Sequence, residues 1–343
     1  MSDVARTVYV GFKFPHMGIH AGYDLVRDHA DYDYLVDCQG LYDKINAFLL
    51  GRSPASRVYA RLFGGYMPSV ELRCLWIAFL KRNVVFHFIY AENCYRYLGY
   101  FKWLGFKIVC TYHQPKEYFD KEPVYLKGLN LVDEVIVLSR ESRAYFSRIV
   151  DPQRVHFIPH GVDAEYFSPA SRAKSDSPKM FEVLMVGNWL RNFEFANAVF
   201  AELLDEDLRI VVHVVTLEKN ASYFVKNPRL VIHSNISDAE LLFRYREASL
   251  LFLPLNGYVA NNAVLEMASI GKPVLIASPQ VPEPDLQEIV DHLPLDKDAV
   301  IAKIKELIND QTSRAEVVRR YVLDNYSWTS IGSRIKNVLK RCS

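Results

Sequence analysis

One acid stands inside the apolar stretch LPLNGYVANNAVLEMASIGKPVLIAS, residues 253 to 278, and its surroundings limit the chemistry open to it. Asn261 and Asn262 are good helix caps. Ala263 to Ile270 continue as a short helix, apolar on nearly every face, and Gly271 and Pro273 stop it before the strand Val274 to Ala277. Glu266 therefore falls on a helix that its pattern buries, and a buried carboxylate needs a partner. A capping box puts the acid three residues after the cap. From Asn262 that position is Leu265, so the spacing favours a partner other than the helix's own first turn. Two readings remain: a side chain elsewhere in the fold, or a ligand whose anionic part sits at the helix N-terminus while a hydroxyl donates to Glu266.

His113, in KIVCTYHQP, follows a buried-looking strand and precedes Pro115, which places it on a loop at a strand's C-terminal end. Such loops display functional groups in doubly wound domains, although a loop histidine taken alone is more often a surface or hydrogen-bonded residue. His87 lies within VVFHFIYAE and reads as structural, with Glu92 just beyond as a weaker site residue. The loop FPHMGIHAGYD, residues 14 to 24, holds Gly18 and Gly22 after the first strand. It lacks the G-x-G-x-x-G spacing of dinucleotide-binding dehydrogenases, yet its glycines allow a phosphate close to the backbone, or simply form a turn. VLMVGNWLRNFEFANAVF repeats the plan of strand, glycine, polar loop and helix. Its Arg191 is either a solvent-facing loop residue or a bidentate partner for a diphosphate. The D-x-D pairs Asp31/Asp33 and Asp296/Asp298 sit in loop-like surroundings, so no metal is expected. Neither a P-loop nor a G-x-S-x-G elbow occurs.

These residues need elements to hold them. The 343 residues suffice for two domains, and 41 basic residues against 40 acidic give no global attraction to nucleic acid. Five scattered cysteines without a CxxC pair argue against a disulfide framework or structural zinc and favour a reducing, cytoplasmic setting. No signal peptide or membrane span is expected, because the longest apolar region, LWIAFLKRNVVFHFIY, is broken by Lys81 and Arg82. Near-continuous apolar strands alternate with helical patterns in both halves, which predicts α/β architecture with two doubly wound parallel sheets. The Ser/Pro/Lys-rich segment 167–180 reads as a linker between domains 1–166 and 181–326. An amphipathic helix over about 327–343 follows and is expected to cross back onto the first domain. Ligands bind beyond the carboxyl ends of open parallel sheets, so two facing domains would place the site in a cleft between them.

Taken together, HMGIHAGYDLV, KIVCTYHQP, VDEVIVLSRESRAYF, RVHFIPHGVDAEYFSP, FEVLMVGNWLR, HSNISDAELLFRYREASLLFLPL, ANNAVLEMASIGKPVLIAS and YSWTSIGSRIKNVL occur in an order that resembles the retaining GT-B glycosyltransferases, family 4-like. The resemblance implies a GT-B fold of two facing Rossmann-like domains with a deep cleft, the first binding acceptor and the second the nucleotide-sugar donor. It assigns His113 to the active site near the donor sugar, Arg191 to the diphosphate leaving group and Glu266 to the nucleotide ribose. Gly18 and Gly22 fall in the loop that approaches the donor phosphates. Gly187 and Asn188 stand where the family has a glycine-arginine pair, Asn235, Ile236 and Ser237 lie near the base pocket, and the main chain of Asn262, Ala263 and Val264, capped by Asn261, faces the diphosphate.

Two departures accompany it. The first glutamate of the family's E-x7-E motif is Tyr258 here, and the arginine after Gly187 is Asn188, with no lysine a few residues later. The implied activity is a hexosyltransferase-type transfer from an NDP-sugar, UDP- or GDP-linked, with retention and without metal or resident cofactor. The acceptor would be a glycan, a lipid-linked sugar or a small molecule, as in polysaccharide or glycoconjugate synthesis. A sugar-nucleotide epimerase or hydrolase on the same fold, or a non-catalytic nucleotide-sugar or carbohydrate binding protein, are the alternatives. Between Leu41 and Asn83, seven basic residues face two acidic ones among aromatics. That composition suits peripheral association with the inner face of a membrane, or ordinary solvated helices. Partnership with nucleic acid is not expected.

Overall fold

The computed structural model describes residues 5–13, 18–37, 68–81, 83–94, 98–170, 180–257, 261–309 and 314–342. Tyr258, the interior of the linker at 171–179 and most of the basic segment between Leu41 and Asn83 lie outside the described residues.

The chain divides into two units, Met1–His160 with Trp328–Ser343, and Gly161–Ser327. The first holds a six-stranded sheet of β1 (Arg6–Val10), β2 (Tyr34–Val36), β3 (Val84–Phe88), β4 (Lys107–Tyr112), β5 (Glu134–Val137) and β6 (Val155–Phe157), in the order β2-β1-β3-β4-β5-β6. The second holds β7 (Phe181–Val186), β8 (Ile210–Val215), β9 (Leu230–His233), β10 (Leu250–Pro254), β11 (Val274–Ala277) and β12 (Asp291–Leu293), in the order β12-β11-β10-β7-β8-β9. All neighbouring strands run parallel. Each unit is thus a Rossmann-like domain.

Apolar runs make these strands because both faces of each sheet are covered. Val8, Val10, Phe86, Phe88, Ile108 and Cys110 enter one core of the first unit, while the intervening Tyr9, Val85 and Val109 enter the other. In the second unit Leu184, Leu251, Leu253 and Ile276 fill one core, and Val183, Met185, Leu250, Phe252 and Leu275 the opposite one.

The division falls at His160, earlier than the expected end of the first domain at 166. The main-chain N–H of Val162 donates to the Tyr326 carbonyl at 2.8 Å, Phe167 joins the second unit's core, and its carbonyl accepts from the Ser269 hydroxyl at 2.8 Å. The terminal helix Trp328–Arg341 belongs to the first unit. Its Trp328, Ile331, Ile335, Val338 and Leu339 follow helical spacing and share a core with Tyr9, Tyr23 and Val109. Gly332 permits the approach: a Cβ there would lie 2.2 Å from the His29 carbonyl oxygen.

Gly332→Ala should therefore destabilise the protein by about 1–3 kcal/mol in urea unfolding. Gly99→Ala, in the helix Leu98–Trp103 with nothing nearer than Leu131 at 4.0 Å, should be neutral or slightly stabilising.

Candidate functional site

In the second unit the chain leaves β7 toward β8 on one side, whereas β10 leads to β11 on the other, so the strand order reverses between β7 and β10. A crevice at such a switch point is where open α/β sheets place ligands. Gly187 ends β7 with φ +104°, a conformation that disfavours any residue with a Cβ. A Cβ there would also lie 2.7 Å from a terminal nitrogen of Arg191. Arg191 folds back over that glycine. Its Nε–H donates to the Val186 carbonyl at 2.8 Å, one terminal nitrogen to the Trp189 carbonyl at 3.0 Å, and the other to Asn261 Oδ1 at 3.3 Å. Burial draws its pKa down to about 10, which leaves it charged at neutral pH.

Asn261 caps the helix Asn262–Ser269, and the same Oδ1 accepts from the Ala263 N–H at 3.2 Å. A guanidinium and a helix-terminal amide thus converge on one oxygen. The Val264 N–H donates to the Asn261 carbonyl at 3.1 Å, so two of the three main-chain amides read from the sequence are engaged within the first turn. Glu266, only 6% exposed, accepts from the Tyr245 hydroxyl at 2.6 Å on Oε2, and burial raises its pKa to about 7.

Asn188 is engaged through its side-chain oxygen. Its Oδ1 accepts from the Thr216 hydroxyl at 2.7 Å, the Leu217 N–H at 2.8 Å and Asn220 Nδ2 at 3.1 Å, which ties the loop after β7 to the segment after β8. Asn235 takes a left-handed φ of 55° beyond β9, Ile236 is half-buried, and Ser237 caps the helix Asp238–Glu247 by accepting from the Glu240 N–H at 3.2 Å. These three share a turn at the C-terminal end of β9.

In the first unit the corresponding reversal lies between β1 and β3. Gly18 offers its carbonyl to the Ala21 N–H at 3.5 Å, and Gly22, with φ +114°, starts the 3-10 helix Tyr23–Asp28. His113 follows β4, and its Nε2 lies 2.6 Å from the Ile89 carbonyl oxygen. A carbonyl only accepts, so this contact assigns the proton to Nε2 and leaves the lone pair on Nδ1. Rings of Tyr23 and Tyr90 flank the imidazole, each with its centroid 4.7 Å away. Burial lowers the pKa of His113 to about 4, keeping it neutral.

Glu92, one of the weaker candidates from the sequence, shapes this loop. Its buried Oε1 accepts from the main-chain N–H groups of His113 and Gln114, the latter at 3.0 Å. Burial nonetheless raises its pKa to about 7. His87 is packed inside the sheet, with Nδ1 2.6 Å from the Tyr32 hydroxyl and Nε2 2.8 Å from the Thr111 hydroxyl.

Sequence reasoning assigned nothing to Tyr23, Asp24, His160 or Trp328, whose proximity depends on the fold. Tyr23 meets His160 at 5.6 Å and Trp328 at 5.5 Å between ring centroids. Three of the four D-x-D acids have protein partners: Asp31 pairs with Lys336, Asp33 accepts from the Thr7 N–H at 2.7 Å, and Asp296 accepts from the Ala299 N–H at 3.0 Å. Among the described residues no three His, Cys, Asp or Glu side chains are grouped so as to hold a metal ion.

With both switch points in view, known proteins of the same shape are informative. The model of Glycosyltransferase Family 4 matches residues 49–166. A glycosyltransferase from Rickettsia africae ESF-5 superposes with a TM-score of 0.68 at 15% identity, over 98% of each chain. Sucrose-phosphate synthase from Thermosynechococcus elongatus gives 0.65 at 16%, over 98% of each chain. Anabaena HepE in complex with UDP and glucose gives 0.65 at 13%, over 98% of this chain and 99% of that one. No curated protein sequence matches the chain. At these identities the likeness concerns fold. The chain has the GT-B fold, and the resemblance to family 4 glycosyltransferases read from its motifs is borne out in that fold and in the matched segment.

The two buried carboxyls give a pH signature. Glu92 and Glu266 sit near 7 in the fold against an ordinary 4.5, so between those values the folded state binds more protons than the unfolded one. Their contribution is fully present below about pH 4.5 and lost as pH rises through 7. Glu266→Gln removes its share, so stability of the variant relative to wild type should rise by about 2–4 kcal/mol from pH 4.5 to pH 7.5 in urea titrations. The histidine terms cancel in that difference.

Proposed function

We propose that the protein is a glycosyltransferase that moves a sugar from a nucleoside diphosphate donor, UDP- or GDP-linked, to a glycan, lipid-linked or small-molecule acceptor. The observation that carries this reading is the convergence of Arg191 and the Ala263 amide on Asn261 Oδ1 at the β7/β10 switch point. A phosphate oxygen has the same requirement for a cation and a helix-terminal N–H, and could take the place of the amide oxygen. Glu266 stands on the same helix with an acceptor-rich carboxylate suited to ribose hydroxyls. HepE, which shares the fold, is described in complex with UDP and glucose.

The bond broken is that between the anomeric carbon and a diphosphate oxygen, so negative charge grows on the leaving group. Arg191 and the helix N-terminus stabilise that charge without a metal. His113, neutral with its proton held by Ile89, serves at the sugar end, and retention follows from same-face attack assisted by the departing phosphate. Within the second unit Asn235, Ile236 and Ser237 border the base. Among the described residues no helix is long and apolar enough to cross a membrane. We place the activity in the cytoplasm, with peripheral attachment to the inner membrane face through the basic segment.

A donor panel assayed for nucleotide release, with and without acceptors, tests the reading. Acceptor-dependent release is expected; turnover that ignores acceptor, or saturable donor binding with no turnover, would replace it. Within that assay Arg191→Ala should lower turnover by about a hundredfold or more, with Arg191→Lys recovering part of the loss.

A further inference from the structure

Two helices of the first unit are apolar on the face they bury and again on a face they expose. In Pro68–Leu80, Val70, Cys74 and Ala78 enter a core, and Leu98 and Phe101 of Leu98–Trp103 enter the same one. Outward stand Trp76, Phe79 and Leu80 on the first helix, and Tyr100, Trp103 and Leu104 at the end of the second. Each set has the spacing i, i+3, i+4, which gathers it on one side of its helix. Trp76, Phe79 and Trp103 are 64%, 82% and 83% exposed. Single exposed apolar residues are ordinary, but large rings grouped in this way mark a contact surface.

The sheet brings the two sets to one end. The first helix ends just before β3 and the second just before β4, and these strands pair in parallel with Val85 opposite Lys107. The last helical turns are closed by the Lys81 N–H on the Ile77 carbonyl at 2.9 Å and the Leu104 N–H on the Tyr100 carbonyl at 3.0 Å. Both therefore lie at the amino-terminal end of the sheet, whereas His113 follows the carboxyl end of β4. Charge there is of one sign. Residues 76–84 and 98–107 hold Lys81, Arg82, Lys102 and Lys107 and no acid. Asp133, 2.7 Å from Lys102 and 3.4 Å from Lys107, offsets one of the four.

We propose that these two helix ends insert their rings into the headgroup region of an anionic lipid bilayer. Trp and Tyr rings flanked by lysines suit a membrane–water interface, where the rings are buried and the ammonium groups meet lipid phosphates. A protein partner fits less well, because lysine is depleted at protein interfaces. The assignment rests on the peripheral attachment proposed above. It adds rings to charges, and it adds the helix Leu98–Trp103, which the basic segment does not contain.

Vesicles of phosphatidylglycerol and phosphatidylcholine provide the test, with sedimentation to read binding and brominated phosphatidylcholine to quench inserted tryptophan. Of the four tryptophans, Trp328 is buried and Trp189 belongs to the other unit. Wild type should sediment with the anionic vesicles and lose fluorescence to the brominated lipid. The pair Trp76→Phe and Trp103→Phe should keep the binding and lose the quenching. The pair Phe79→Ser and Trp103→Ser should weaken partition by about tenfold or more. Salt-sensitive sedimentation without quenching, or quenching that survives the phenylalanine pair, overturns insertion and leaves attachment by charge alone. Absence of sedimentation by wild type overturns both. Self-association without lipid that Trp103→Ser abolishes would assign the rings to a second copy of the chain, and overturns the proposal too. Should the serine pair not fold, the phenylalanine pair still decides.

Discussion

The second unit depends on one oxygen, Oδ1 of Asn261, because donors from two separate segments meet on it. Arg191 reaches it from the loop after β7 and Ala263 from the first turn of the following helix. Bringing a guanidinium there requires the chain to turn back at Gly187, where the positive φ disfavours a side chain and a Cβ would press on the guanidinium. The two loops are then stitched by the Asn192 N–H to the Pro254 carbonyl and the Asn256 N–H to the Leu190 carbonyl, each at 2.9 Å. Desolvation of Arg191 is offset by carbonyls that accept its protons, which keeps a cation in place before any anion arrives. Preorganisation of this kind lets a site stabilise developing charge without moving.

Each unit also buries a carboxylate close to its switch point, and the partners give the two different roles. Glu92 spends Oε1 on two main-chain N–H groups, which fixes the loop that carries His113. Glu266 receives a phenol on Oε2, a contact that uses one of a carboxylate's several acceptor positions. The first arrangement is rigid scaffolding around an imidazole. The second carboxyl, its pKa raised to about 7 like that of the first, stands in a helix whose N-terminus favours anions.

Fold class was legible because strands covered on both faces must be apolar throughout, as VVFHF and LLFLP are. The helix stops at Gly271 and the cap at Asn261 were legible for the same local reasons. What escaped the sequence depends on distance in space rather than along the chain. Asn188 stands in the sequence as half of a phosphate clamp, and only the fold brings Thr216, Leu217 and Asn220 onto its Oδ1. The amides of Ala263 and Val264 look open until the cap geometry engages them. The domain boundary shifts to His160 because Val162 and Phe167 find partners in the second unit, a preference that composition cannot express.

The terminal helix shows how the end of the chain bears on packing in the first half. Trp328 packs against Tyr23 and His160, and Tyr23 in turn stands edge-on to His113. The imidazole is therefore held by a carbonyl on one nitrogen and by rings whose own positions depend on residues near the C-terminus. Packed aromatic cores do not deform gradually, so a change at Trp328 would be transmitted as a displacement of Tyr23 rather than absorbed. The helix completes the first unit's core, and by doing so it sets the wall against which its histidine is oriented.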